Sequence, residues 1–145
     1  MNAPSISRRL ALFLLLGVTS LSACKKDPDP VASGDLGTRA AGTYTLSEIS
    51  GGGKTIPAAQ ADLKGVISVT RQSATSVNLD FDIREKSTND EVLVGTADGL
   101  EVSSAGGNTI SFKGQNAEVA TLSGNKLSIK VEDDNGVDVT FVATK

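Results

Sequence analysis

The chain has 145 residues, 14 basic and 17 acidic side chains and a formal charge of −3, with no histidine, no tryptophan, one cysteine and one tyrosine. That length suits one domain of ordinary size. Without histidine there is no Ser-His or Cys-His couple and no imidazole metal ligand, and one cysteine makes neither an internal disulfide nor a thiolate zinc site. The acidic balance argues against nucleic acid, which needs a basic face to neutralise phosphates. The expectation is a protein without enzymatic activity, cofactor or metal.

The N-terminus reads as an export signal. Arg8-Arg9 supply a positive start and Leu10–Val18 an apolar stretch. Nine helical residues span about 14 Å, under half of the roughly 30 Å hydrocarbon core, so a cleaved signal fits better than a spanning helix. Directly behind it, Leu21-Ser22-Ala23-Cys24 resembles the lipobox of bacterial lipoproteins. The resemblance implies a signal peptide over 1–23, a diacylglycerol on the Cys24 thiol and an acyl chain such as palmitate on the new amine. Several chains together make a durable anchor, where one alone holds weakly. Loss of Arg8 and Arg9 leaves 12 basic against 17 acidic side chains, a side-chain charge of −5.

Residues 24–41 then read as the lipidated cysteine and a flexible tether. Lys25-Lys26-Asp27-Pro28-Asp29-Pro30, Ser33-Gly34-Asp35 and Gly37 carry no apolar period, and the prolines remove backbone donors. Lys25, where an aspartate would favour inner-membrane retention, resembles outer-membrane sorting signals. The Lys26-Asp27 start resembles surface-export signals of some Gram-negative lipoproteins, an ordinary solvated tether being the other reading. An exported, outer-membrane-anchored protein facing the periplasm or the cell surface is expected.

From residue 42 to 145 the chain reads as short antiparallel strands. Val77–Arg84 is the clearest, with every odd position apolar and every even one polar, so one face is buried and the other wet. Lys126–Glu132, Val137–Phe141 and Thr109–Lys113 alternate in the same way. Thr43–Ser50, Val66–Gln72, Glu91–Thr96, Leu100–Ser104 and Ala117–Leu122 bring the count to about nine. Face-matching sets two registers. A two-residue Gly124-Asn125 turn opposes Leu122 to Leu127 and Ala120 to Ile129. A three-residue Asp134-Asn135-Gly136 loop opposes Val131 to Val139 and Ile129 to Phe141, with Gly136 in the left-handed position of a bulged turn. One short helix is expected after the first strand, over Pro57–Lys64, with Gly65 as its cap.

Strand, short helix and a run of hairpins resemble the lipocalin-like family, including small bacterial lipoproteins. Gly42-Thr43-Tyr44 stands where that family often has Gly-x-Trp, and no late arginine answers the ring here. The resemblance implies a meander barrel of eight or nine strands and the binding of a small apolar or amphipathic ligand. Alternation alone is equally compatible with a β-sandwich.

Three motifs invite a chemical reading and lose to a plainer one. Asp80 and Asp82 share a strand face about 7 Å apart, within the range of glycosidase carboxylates, but on the solvated side of Leu79 and Phe81. Glu132–Asp138 is acid-rich, yet aligning Gly136 with an EF-hand glycine puts Val131 and Val142 at ligand positions, so a hairpin turn explains it better. Gly51-Gly52-Gly53-Lys54-Thr55 lacks the first glycine of a phosphate loop, where Glu48 stands.

Ligand contacts are expected at the aromatic positions Tyr44, Phe81, Phe112 and Phe141. Arg71, on the face of Ile67 and Val69, is a candidate to meet a ligand carboxylate at a barrel mouth or to snorkel into water. The protein is expected to be a monomer. The alternative role is a structural or protein-interaction module presenting serine- and threonine-rich strands.

Overall fold

The computed structural model describes residues 35–145 apart from 116 and 134; the signal, the lipobox with Cys24 and the tether up to residue 34 lie outside the described residues. A five-residue helix, α1 (Leu36–Ala40), precedes nine strands: β1 (Gly42–Gly51), β2 (Lys54–Pro57), β3 (Leu63–Arg71), β4 (Ser76–Glu85), β5 (Glu91–Ser104), β6 (Thr109–Gly114), β7 (Ala117–Ser123), β8 (Lys126–Glu132) and β9 (Asp138–Thr144). Each strand pairs antiparallel with the next from β3 to β9, and β1 pairs with both β3 and β9. The sheet therefore closes into an eight-stranded meander barrel, and β2 is an extra hairpin strand on β1. Barrel, not sandwich, is the solution this chain adopts.

The strand alternation explains the interior. On β4, Val77, Leu79 and Ile83 are fully buried, while Asp80 and Asp82 face outward and are exposed. Tyr44, Ile67, Ile110, Phe112 and Leu127 are the other large side chains with almost no exposure. Each such burial contributes roughly 1.5–3 kcal/mol of transfer free energy. Both reasoned registers are present: Leu122 opposes Leu127 and Ala120 opposes Ile129, and Val131 opposes Val139 and Ile129 opposes Phe141. Gly136 takes φ +76°, and the Asp133 N–H donates to the Val137 carbonyl to close the loop.

Three expectations are corrected. Among the described residues the short helix lies ahead of the first strand, at Leu36–Ala40, inside the stretch read as tether. Asp35 caps it by accepting from the Thr38 N–H at 2.8 Å, and Leu36 and Ala40 are buried. Five residues are too few to show a helical period, so composition alone made them look like linker. Pro57–Lys64 instead forms the end of β2, a set of turns in which the Pro57 and Ala58 carbonyls accept from residues 60, 61 and 63, and the start of β3. Asp62 is in the left-handed region at φ +55°, which ends any helix there. Finally, Glu91–Thr96 and Leu100–Ser104 are one continuous strand, β5, interrupted by a bulge.

Two bulges reverse which residues face inward. In β1, pairing with β9 slips between Leu46 and Glu48, so Tyr44 and Leu46 are inward below Ser47 and Ile49 is inward above it. In β5, pairing with β4 slips at Asp98-Gly99, where Gly99 takes φ +65° and its N–H donates to the Asn78 side-chain oxygen at 2.9 Å. Leu93 and Ala97 face in before that bulge, Leu100 and Val102 after it. Such bulges bend a strand and tighten its twist, which a closed barrel needs.

Candidate functional site

The barrel has a closed base and an open mouth. At the base, α1 packs against β3, β4 and β5. Gly37 lies so close to the β3–β4 turn that a Cβ there would collide with the Ser73 carbonyl oxygen. Arg71 anchors this plug. Its guanidinium meets both Asp35 oxygens, at 3.3 Å from Nε and 3.0 Å from Nη2, and Arg39 donates to the Asn108 side-chain oxygen at 2.7 Å. The guanidinium, helped by the Thr38 N–H, holds the Asp35 carboxyl below its ordinary range. Arg71 thus belongs to the base, on the surface, paired with Asp35.

Tyr44 also serves the base. Its ring is 1% exposed, its hydroxyl donates to the Ala40 carbonyl at 2.8 Å, and burial raises its pKa. The Lys145 ammonium stands 5.6 Å from the ring centroid and donates to the Ala41 carbonyl at 2.7 Å. A late cation does answer the ring, then, and it is a lysine. Phe112 is wholly buried, and Phe81 is half-buried between Ile67 and Gly95. Buried side chains line the barrel from its base through its middle.

The mouth is different. A cavity of about 430 Å³ opens there, lined by Ile49 of β1, Val92 and Leu93 of β5, Val131 and Glu132 of β8, Asp133, and Val139 and Phe141 of β9. Of the five ligand-contact candidates, only Phe141 lies on it. Sequence reasoning missed the other lining residues, although one signal was readable. Apolar positions run even at Tyr44 and Leu46 and odd at Ile49, a switch that marks the bulge turning Ile49 inward. In β5 the run Val92-Leu93-Val94 is apolar on both faces, so its sequence carries no such switch. Asp133 borders the cavity in a fixed pose, one oxygen accepting from the Asn135 N–H at 2.9 Å and the Val137 N–H at 2.8 Å. Those backbone donors lower its pKa, so it is ionised at neutral pH.

The outer wall is polar. β4 presents Asn78, Asp80, Asp82 and Arg84, with Arg84 donating to Asp82 at 2.6 Å and to Glu91 at 3.3 Å, and β8 presents Lys126, Ser128 and Lys130. An apolar interior within a polar wall is the reverse of a membrane-spanning barrel, which turns its apolar band outward to lipid. Fold and site together define a helix-plugged, eight-stranded β-barrel with an apolar mouth.

No protein-family model matches the sequence, and no curated protein matches it. Among solved structures, it is similar to a protein described as a "putative outer membrane protein" of Bacteroides fragilis NCTC 9343, at 18% identity and TM-score 0.48. That match covers 77% of this chain and 53% of the other, so this chain spans about half the length of the Bacteroides protein. It is also similar to a de novo designed fluorescence-activating β-barrel, at 14% identity and TM-score 0.46, over 77% of this chain and 97% of the design.

Proposed function

We propose that this protein is a lipid-anchored barrel of the bacterial cell envelope that holds a small apolar ligand in its mouth. The observation that carries the binding role is the cavity of about 430 Å³ walled by Ile49, Leu93, Val131, Val139 and Phe141 at the end opposite the plug. Ligand pockets are concave, mostly apolar and supplied with a few polar groups, and this one follows that pattern at the small end of the size range. The anchoring role rests on Leu21-Ser22-Ala23-Cys24 behind the apolar stretch.

Two experiments test the reading. Cys24→Ala is expected to abolish metabolic labelling with palmitate, and persistent labelling removes the anchor. Native mass spectrometry of the gently extracted protein is expected to show a bound small molecule, which Val139→Trp displaces by filling the mouth. A bound molecule unaffected by that change places the ligand elsewhere.

A protein-interaction role is favoured by one separate observation. Val66 and Val94, 41% and 43% exposed, flank Asp82 in one outward row across β3, β4 and β5. A partner seated there would be lost on Val66→Lys with Val94→Lys, while mouth binding persists.

A further inference from the structure

The lining of the mouth is asymmetric in charge. Glu132 and Asp133 are its ionisable members, its remaining six residues are apolar, and neither lysine nor arginine is among them. Asp133 cannot swing away from the rim without giving up the two backbone N–H groups its carboxylate accepts. We infer that the mouth selects a cationic amphiphile, one with an apolar body and an amine or ammonium head, over an anionic one such as a carboxylic acid. This rests on the mouth being the binding site and names the ligand class that site takes.

The apolar body gains by leaving water for the walls of Ile49, Leu93, Val139 and Phe141, whatever its head. The head stays at the rim, where it meets Glu132 and Asp133 near the protein surface. At about 4 Å a charge pair in that setting interacts by an amount that separates attraction from repulsion by tenfold or more in affinity. Salt would erode that preference, because the rim is exposed and the Debye length falls from about 30 Å at 0.01 M to about 10 Å at 0.1 M. The size of the cavity limits the guest. Taking a water's share of volume as about 30 Å³, the space matches roughly fourteen waters, hence a body on the order of a dozen non-hydrogen atoms.

The test uses three probes with one apolar body: 3-phenylpropylamine, 3-phenylpropanol and 4-phenylbutanoate. Their affinities for the full chain carrying Cys24→Ala are measured by calorimetry at low salt and neutral pH. The amine is expected to bind at least tenfold more tightly than the carboxylate, with the alcohol between them. Glu132→Gln, an exposed change that leaves the Asp133 turn intact, is expected to cut that ratio several-fold, with a smaller effect on the alcohol than on either charged probe. Equal affinities for the three, a preference for the carboxylate, or a ratio untouched by Glu132→Gln each overturn the charge selection and leave mouth binding standing. Failure of all three to bind, or binding that survives Val139→Trp, overturns mouth binding itself.

Discussion

Replacing Tyr44 by phenylalanine isolates one hydrogen bond at the junction of plug and barrel. The ring is 1% exposed, so phenylalanine keeps the packing and deletes only the donor that reaches the Ala40 carbonyl at 2.8 Å. A buried hydrogen bond lost in this way costs about 1–2 kcal/mol. With a urea dependence of about 2 kcal/mol per molar for a domain of this size, the unfolding midpoint should fall by about 0.5–1 M. Urea titration followed by far-ultraviolet circular dichroism reads that shift. A loss below about 0.3 kcal/mol would refute the view that the phenol ties α1 to β1. The same group gives a second readout, because it is the only tyrosine and its phenolate absorbance stands alone. Burial raises its pKa above the ordinary 10.0, so folding favours the neutral phenol. The stability this gives is full below that ordinary value and is lost as pH rises through the folded one. The gap in stability between wild type and Tyr44→Phe should therefore narrow above about pH 10. Phenolate appearing at the ordinary pH in the folded protein would contradict the burial.

Three further outcomes are expected. Gly65→Ala should cost about 2–3 kcal/mol in thermal or urea unfolding, because a Cβ there lies 2.5 Å from the Asp82 carbonyl oxygen and 2.8 Å from the Ile83 Cα, neither of which can rotate aside. Gly52→Ala, with open space around it and φ +57°, should cost only about 1 kcal/mol, and equal losses would sink the close-approach argument. In Arg71→Ala the Asp35 carboxyl, read by carbon NMR, should titrate closer to its ordinary value of 3.8; with the guanidinium present, Asp35 stabilises the fold above that value and loses its effect as pH falls through the lowered one. No change in the Asp35 titration would show that the pair does not persist in solution. Phe112→Ala should cost about 3–5 kcal/mol, and Phe141→Ala clearly less, since Phe141 already borders a cavity that water can fill. Equal costs would mean that the interior is packed uniformly from base to mouth.

The wall of the barrel was legible because alternation is a local signal. Val77–Arg84 declares its two faces without help, and face-matching across Gly124-Asn125 and Asp134-Asn135-Gly136 was enough to set two registers. What escaped was everything that depends on the third dimension. The helix at Leu36–Ala40 is helical because Asp35 caps it and the base of the barrel receives Leu36 and Ala40, a tertiary reason. Pro57–Lys64 has helix-forming composition, yet the Ala58 N–H is claimed by the Ser47 carbonyl and Ala58 itself is buried, so turns win. Arg71 shares the length of a strand with Ile67 and Val69, but only closure of the base showed that its end of the barrel is sealed. Lys145 was unreadable as the answer to Tyr44 because cation and ring are brought together solely by the closure of β9 on β1.

That closure also sets an order of events. The Ser47 hydroxyl and the Val142 carbonyl it bonds at 3.0 Å are 95 residues apart. During synthesis, which runs from the N-terminus, β1 exists long before β9. The hairpin with β2 can cover part of one edge of β1 at once, since Gly51 and Lys54 are joined by only two residues. Its other edge, from Thr45 to Gly51, has no local partner and must wait for the last strand. Contacts so distant in sequence form slowly, because chain entropy is lost before they repay it. The seam between first and last strands is thus a clock as well as a bond: until it shuts, the chain carries an open edge that can recruit another chain.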